Sequence, residues 1–237
     1  MAAKGTVQAQ FSGVESTAVI PVETVRLSDI AYRKVLEGLF DRTVPAGAFV
    51  SQNDLVNLLD IPVQPLRDAL RVLEAEGVLT IHPRSGIQFL KPDLELARST
   101  YQFRTIIERP AAKTFAETGS AQEIALLTKD HRTLMKRIEE GQFDARVTAR
   151  LGELEERLHG GMIASLRNPL VETTARRLKN YVTLIRLDRL MTPPLALRTL
   201  REHLDILEAA GARNGDAAEL AVTNHFQAAL QRILGMF

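Results

Sequence analysis

The 237-residue sequence contains no cysteine and no tryptophan, and it has almost no net charge. Without cysteine there can be no disulfide framework, zinc finger, iron–sulfur cluster or thiol nucleophile. A chain without disulfides fits a reducing compartment. Any metal must take its ligands from Asp, Glu and five histidines. Lys plus Arg number 30 against 29 Asp plus Glu, so no field of one sign announces nucleic acid, membrane or an acidic partner. No stretch approaches the ~20 apolar residues of a membrane span. The opening MAAKGTVQAQ lacks the apolar run of a secretion signal, and no repeat of ~20–50 residues is present. These absences leave a globular protein, expected in the cytoplasm and without a membrane partner. Its apolar content of 45% is enough for one or two self-sufficient cores.

Residues 1–26 are small, polar and β-branched without helical period, which suggests a flexible arm with a short extended piece at Thr17–Pro21. From Leu27 the pattern turns helical. Ile30, Val35, Leu36, Leu39 and Phe40 form a stripe behind a cap at Ser28 or Asp29, and VPAG at 44–47 ends it. Ser51 caps a second helix, with Asp54 three residues on as its capping-box partner. After the break DIPVQP at 60–65, a third helix runs from Leu66 to Glu76 and stops at Gly77. VLTIHPRSGIQFL at 78–90 reads as a hairpin. Together these predict a winged helix-turn-helix over 27–92. Residues 93–237 read as an all-α bundle of six helices, near 94–118, 121–140, 143–167, 169–190, 195–211 and 216–235. The fold class is therefore mainly α.

In a helix-turn-helix, the start of the second helix meets base edges while its surroundings grip phosphate. That helix begins at Val63, Gln64, Leu66 and Arg67 and continues to Arg71. Arginine can read guanine or hold phosphate, and Gln64 can pair with adenine. Arg84, Ser85 and Gly86 form the tip of the wing, where glycine permits close backbone approach. Charge argues the other way. Leu27–Pro92 holds seven Lys or Arg against eight Asp or Glu, a net of −1, whereas DNA-binding domains are ordinarily basic.

The run AGAFVSQNDLVNLLDIPVQPLRDALRVLEAEGVLTIHPRSGIQF resembles the DNA-binding domain of the GntR family of bacterial transcription regulators. The features that carry the resemblance are the Pro45–Gly47 turn, Leu55, the block Pro65–Leu70, Leu73–Gly77 and the Pro83–Gly86 wing. It implies DNA contacts at Asn53, Gln64, Arg67, Arg84 and Gly86. The Ser/Thr–Arg pair usual before the recognition helix is replaced here by Pro62–Val63, so the operator sequence does not carry over.

Histidines mark the helical part. Glu155 and His159 lie four apart on one helix face. The midpoint of His203 and His225 falls on Asn214, inside the turn GARNG. An antiparallel helix pair folded there brings the two histidines level. Three imidazoles and a carboxylate make an N₃O site suited to zinc, nickel, iron or manganese. The plainer alternative is a surface Glu–His pair. His131, between Asp130 and Arg132, is expected to be solvated, and His82 in the wing exposed or near phosphate.

This part is similar to the C-terminal ligand-binding FCD domain of the FadR subfamily, and its six helices suit the VanR-like group. The segments Arg104–Glu108, Glu155–His159, Asn168–Pro169, Glu202–His203 and His225 follow that domain's order, with Glu155 where Asp is usual. The resemblance implies a divalent metal, zinc foremost, held by Glu155, His159, His203 and His225. It also implies a small carboxylate effector gripped through Arg104, with Arg186 a second candidate. The plainer role for Arg104 is an i,i+4 pair with Glu108.

The expected whole is a homodimeric repressor, not an enzyme, bound to a palindromic operator in double-stranded DNA. Phe103, Ile107 and Phe115 are candidates to pack the partner copy, or else to fill the core. The competing class is an all-α mononuclear metalloenzyme acting on a small carboxylate, which would leave the winged part without a purpose.

Overall fold

A computed structural model describes residues 26–235. The expected arm at 1–26 lies outside the described residues except for Arg26, which caps the first helix. The described chain runs α1 (Leu27–Phe40), β1 (Phe49–Val50), α2 (Gln52–Leu59), α3 (Val63–Ala75), β2 (Leu79–His82) and β3 (Gly86–Phe89). It continues through α4 (Leu94–Thr118), α5 (Ala121–Glu139), α6 (Ala145–Ser165), α7 (Pro169–Arg186), α8 (Pro193–Gly211) and α9 (Gly215–Leu234). The fold is a winged helix-turn-helix followed by six helices.

Local chemistry explains the boundaries. Ser51 and Asp54 form a reciprocal capping box at the start of α2. Asp93, Ser120, Asp144, Asn168 and Asn214 each cap the following helix through a side-chain oxygen. At the end of α3, the Gly77 amide donates to Glu74 O and the Val78 amide to Leu73 O, a Schellman ending with Gly77 at φ +75°. Two boundaries differ from expectation. The first helix is capped by Arg26 without a side-chain bond, not by Ser28 or Asp29. The third begins at Val63 rather than Leu66, because Pro65 falls in its first turn, where a missing N–H leaves no hydrogen bond unmade.

The sheet holds a strand that alternation could not reveal. β1 is two residues long and pairs antiparallel with β3, giving the order β1-β3-β2. β2 and β3 form the expected hairpin, with Leu79 opposite Phe89 and His82 opposite Gly86.

Apolar side chains gather in separate clusters. One joins Val35, Leu39, Leu55, Leu66, Leu70, Leu73, Ile87 and Phe89. A second lies among the later helices, around Tyr101, Phe115, Leu158, Met162, Ile206, Val222 and Phe226. A third closes the far end with Leu134, Leu151, Leu154 and Leu200. Helix α4 lies at the centre of the helical part, against α6, α7, α8 and α9. Phe115 is thus core and not partner-facing, and Ile107 packs half-buried on the same cluster. Phe103 does face outward, with Ile106 exposed beside it.

Leu184 belongs to the first cluster although it sits on α7, and Leu187 just beyond α7 packs against the same cluster. Polar bonds join the same elements. Tyr32 of α1 donates to Glu76 Oε2 at 2.7 Å, and Asn180 of α7 donates to Tyr32 Oη at 3.2 Å. Tyr181 donates to the Glu76 carbonyl, and Arg42 to the Leu187 carbonyl. Helix α7 is therefore built into the end of α3.

Candidate functional site

The winged part presents a groove of about 470 Å³ between the start of α2, α3 and the wing. Its lining includes Asn53, Arg67, Arg71, His82, Arg84 and Gly86. No Asp or Glu is among the lining residues, although the segment as a whole is net acidic. Three of the eight acids are engaged elsewhere: Asp54 in its capping box, Glu74 accepting from the Ile81 amide, and Glu76 facing Tyr32 and Arg177. Charge is sorted by position rather than by total.

Arg67 donates from Nε to Gln52 Oε1 at 3.2 Å, which spans the two helices and leaves its terminal nitrogens outside that bond. Gln64 is exposed and bonds Asp68 one turn on, outside the groove lining. Arg71 is exposed on the groove wall. Arg84 takes φ +62° at the wing tip, and Gly86 follows at φ +152°. A Cβ on Gly86 would stand 2.8 Å from the Val50 carbonyl, so β1 itself demands glycine there.

Three histidines meet in the helical part. His159 of α6, His203 of α8 and His225 of α9 are all buried, with ring centroids 4.9–5.4 Å apart. One ligand atom from each lies within 4.8 Å of the others. Each ring is anchored through Nδ1. His159 Nδ1 meets Glu108 Oε2 at 2.6 Å, His225 Nδ1 meets Glu202 Oε2 at 2.8 Å, and His203 Nδ1 meets His131 Nε2 at 3.2 Å. All three Nε2 atoms are buried and without a hydrogen-bond partner. Buried polar atoms normally find partners, so three orphans turned together fit a cation. Carboxylates on the far nitrogens are the usual outer support of metal-bound imidazole.

The three carboxylates around the trio each have an arginine. Arg104 Nε donates to Glu108 Oε1 at 2.7 Å, while its guanidinium lies 4.5 Å from the Phe226 ring centre. Arg186 donates to Glu155 Oε1 at 2.6 Å and to Tyr101 Oη at 2.9 and 3.1 Å. Arg232 grips both oxygens of Glu202. Burial alone would raise the Glu108 and Glu155 carboxyls, but the neighbouring arginines and His159 outweigh it and hold each near 2. Burial also pushes His203 well below its ordinary value and His225 down to about 4, so both are neutral near pH 7.

Of the four residues expected to hold metal, the structure groups His159, His203 and His225; Glu155 lies one turn before His159 but is turned to Arg186. Arg104 makes the i,i+4 pair with Glu108 that was its plainer role. His131 overturns expectation: it is 0% exposed, not solvated. Its charged neighbours in sequence, Asp130 and Arg132, point elsewhere on the helix, and a stripe of Ile124, Leu127, Leu134 and Ile138 carries it inward. That stripe was the available signal. Glu108 and Glu202 were visible only as parts of a motif.

Among the described residues, no helix is long and apolar enough to cross a membrane. Residues 27–89 match the family "Bacterial regulatory proteins, gntR family", and residues 99–228 match "FCD domain". An HTH-type transcriptional repressor, RspR of Escherichia coli (strain K12), is 27% identical over 83% of this chain and 84% of its own length. An HTH-type transcriptional regulator of Bacillus subtilis (strain 168), YdhC, is 22% identical over 82% of this chain and 85% of its own. Among solved structures, E. coli McbR/YncC superposes with TM-score 0.71 at 16% identity, over 90% of this chain and 99% of that one. A putative GntR regulator of Rhodococcus sp. RHA1 gives 0.69 at 18% identity, over 89% and 98%. The two superpositions speak for the fold.

Proposed function

The chain belongs to the gntR family of bacterial regulatory proteins and carries its FCD domain, so it is a DNA-binding transcriptional regulator and not an enzyme; on that premise we propose that it is a metal-dependent repressor answering to a small carboxylate. The observation that carries this is the set of three unpartnered Nε2 atoms on His159, His203 and His225. In this reading residues 27–92 read DNA and residues 93–237 sense the effector.

The trio would hold one divalent ion, with zinc the first choice for imidazole ligands. Bound there, the ion supplies Lewis-acid coordination to an oxygen of the effector. The protein fixes the class of effector through its charges. Burial holds His203 and His225 neutral, and Glu108, Glu155 and Glu202 are each matched by an arginine. A dication then stays uncompensated until an anion joins it, which favours a carboxylate. Arg104 commits only Nε to Glu108 and can offer its terminal nitrogens to a second oxygen. Glu155, one turn from His159, is held off the trio by Arg186 and would reach the ion only by giving up that pair.

Transmission runs through α7. Arg186 at its end touches Glu155 and Tyr101, while Asn180, Tyr181 and Leu184 hold α1 and the end of α3. An effector that draws on Glu155 or Arg186 shifts the helix to which the recognition element is fastened. It acts only as far as it prefers one arrangement over the other. We assign the repressor role from the 27%-identical repressor. A homodimer on a palindromic operator suits the half-site geometry of such motifs, and exposed Phe103, Ile106 and Leu170 suit a partner surface. Asn53, Gln64, Arg67, Arg71, Arg84 and Gly86 are the proposed DNA contacts, with Gln64 requiring release from Asp68.

Gel shift of purified protein on its own promoter duplex tests the whole, with zinc or chelator and with a panel of small di- and tricarboxylates. The expected result is a sequence-preferring complex that needs metal for its response to one carboxylate. Elemental analysis should find about one metal per chain, lost in His203→Ala and His225→Ala. Equal binding to random duplex would refute the regulator's operator, and a carboxylate response undiminished by metal removal would refute the metal's role.

A further inference from the structure

Two of the three inward-facing histidines are backed by carboxylates, and the third is not. His203 is backed by His131, a fourth buried histidine on α5. The rings meet edge to face, with centroids 5.3 Å apart and planes at 69°. His131 has both nitrogens occupied: Nδ1 lies 2.8 Å from the Leu127 carbonyl, and Nε2 lies 3.2 Å from His203 Nδ1. It therefore has no nitrogen to offer the ion.

Those two contacts fix a sequence of hydrogens. A backbone carbonyl only accepts, so His131 Nδ1 must carry the hydrogen. In the neutral ring the other nitrogen is then a bare acceptor. His203 Nδ1 must donate to it, which leaves the lone pair of His203 on Nε2, the atom turned toward His159 and His225. The Leu127 carbonyl thus sets the tautomer of a ring two bonds away, through His131.

We propose that His131 is a positioning residue for the metal centre, an uncharged partner that holds His203 in its Nε2-ligating tautomer and orientation. The inference rests on the three-histidine metal reading above. Its chemistry differs from that of the other two supports. Glu108 and Glu202 strengthen their imidazoles as donors by placing negative charge behind them. His131 orients without charge, so it adds no anion to a wall where each carboxylate already needs an arginine.

The test uses the full chain and metal alone. His131→Leu keeps the bulk and removes the acceptor; His131→Gln places an amide oxygen where Nε2 stood. Zinc affinity is measured by competition with a chromophoric chelator, and the geometry by the visible absorption of the cobalt-loaded protein. The tautomer of His203 is read in metal-free protein from imidazole ¹⁵N shifts. We expect His131→Leu to weaken zinc about 10–100-fold, to alter the cobalt bands, and to move the hydrogen of His203 to Nε2. His131→Gln should recover most of the affinity and the wild-type tautomer. Zinc affinity and cobalt bands unchanged in His131→Leu would overturn the proposal. So would metal-free wild-type protein with His203 protonated on Nε2, a result available even if His131→Leu does not fold. Wild-type protein that binds no divalent metal would instead overturn the metal reading, while its ¹⁵N spectrum still judges the tautomer.

Discussion

Leu184→Ala separates a helix that merely rests beside the DNA-reading part from one that completes it. Leu184 is 3% exposed and belongs to the cluster of Leu36, Leu39, Val44 and Leu73, though it is carried by α7. Burying a leucine side chain is worth about 1.5–3 kcal/mol in transfer alone. Truncation to alanine in a core that relaxes only partly costs about 2–5 kcal/mol. The site lies where α7 meets α1 and α3, a boundary between units, so some collapse is available and the lower part of that range is expected, about 2–3 kcal/mol. Against a total stability of about 5–15 kcal/mol this is readily measured. Urea denaturation at fixed metal and pH should show a lower midpoint with an unchanged slope. A second readout follows from the coupling. With Leu184 truncated, the anchor between α7 and the end of α3 loosens, and the difference in operator affinity between zinc-loaded and stripped protein should shrink. A loss below about 0.5 kcal/mol, the range of ordinary surface changes, would show that Leu184 completes no core. The expected loss of about 2–3 kcal/mol with an undiminished zinc response would remove α7 from the route.

Three further outcomes are expected. Gly77→Ala forces a side chain to φ +75° and sets a Cβ 2.5 Å from Tyr181 Oη, so it should destabilise by more than the about 1–2 kcal/mol of left-handed backbone alone; adding Tyr181→Phe removes the clashing oxygen, and strictly additive costs in denaturation would refute that contact. Arg71→Ala should weaken all duplexes alike and lower the salt slope of binding by about 1, whereas Arg67→Ala should relax sequence preference; a salt slope unchanged in Arg71→Ala would remove it from the phosphate contacts. Burial and the bond to Glu76 raise the Tyr32 hydroxyl from 10.0 to about 12, so its contribution is full below pH 10 and is lost as pH rises toward 12; the stability gap between wild type and Tyr32→Phe should close over that window, and a constant gap would refute the link.

Periodicity placed every helix because each has a strong local signal: an apolar stripe on one face and, at most starts, a capping oxygen. Strand β1 left no such mark, since two residues cannot alternate, and its pairing with β3 is made by chain far away in sequence. The histidine trio was legible because His203 and His225 straddle a turn symmetrically, and helix geometry then makes them level. What surrounds the trio was not legible. Whether Glu155 faces the trio or Arg186 depends on where α7 passes, and nothing within α6 records that. For His131 the better guide to burial is the helical stripe, with Leu127 four residues before it and Leu134 three after, rather than its sequence neighbours. Exposure is a property of the helix face, and adjacent residues in a helix lie on different faces.

The near-neutral charge of the DNA-reading part argued against DNA only while charge was counted along the chain. Affinity for a duplex depends on the cations that reach its phosphates, not on the total carried by the domain. Arg67, Arg71 and Arg84 line one groove without an acid among the lining residues, while Glu76 is turned away to Tyr32, Arg177 and α7. One of the acids that lower the total, Glu76, is thus the one that fastens the end of the recognition helix to α7. With few cations in the groove, non-specific affinity is expected to be low, and a small displacement of α3 would remove a large share of the proposed contacts. A regulator that must let go of DNA on a modest signal is better served by three placed arginines than by a basic field.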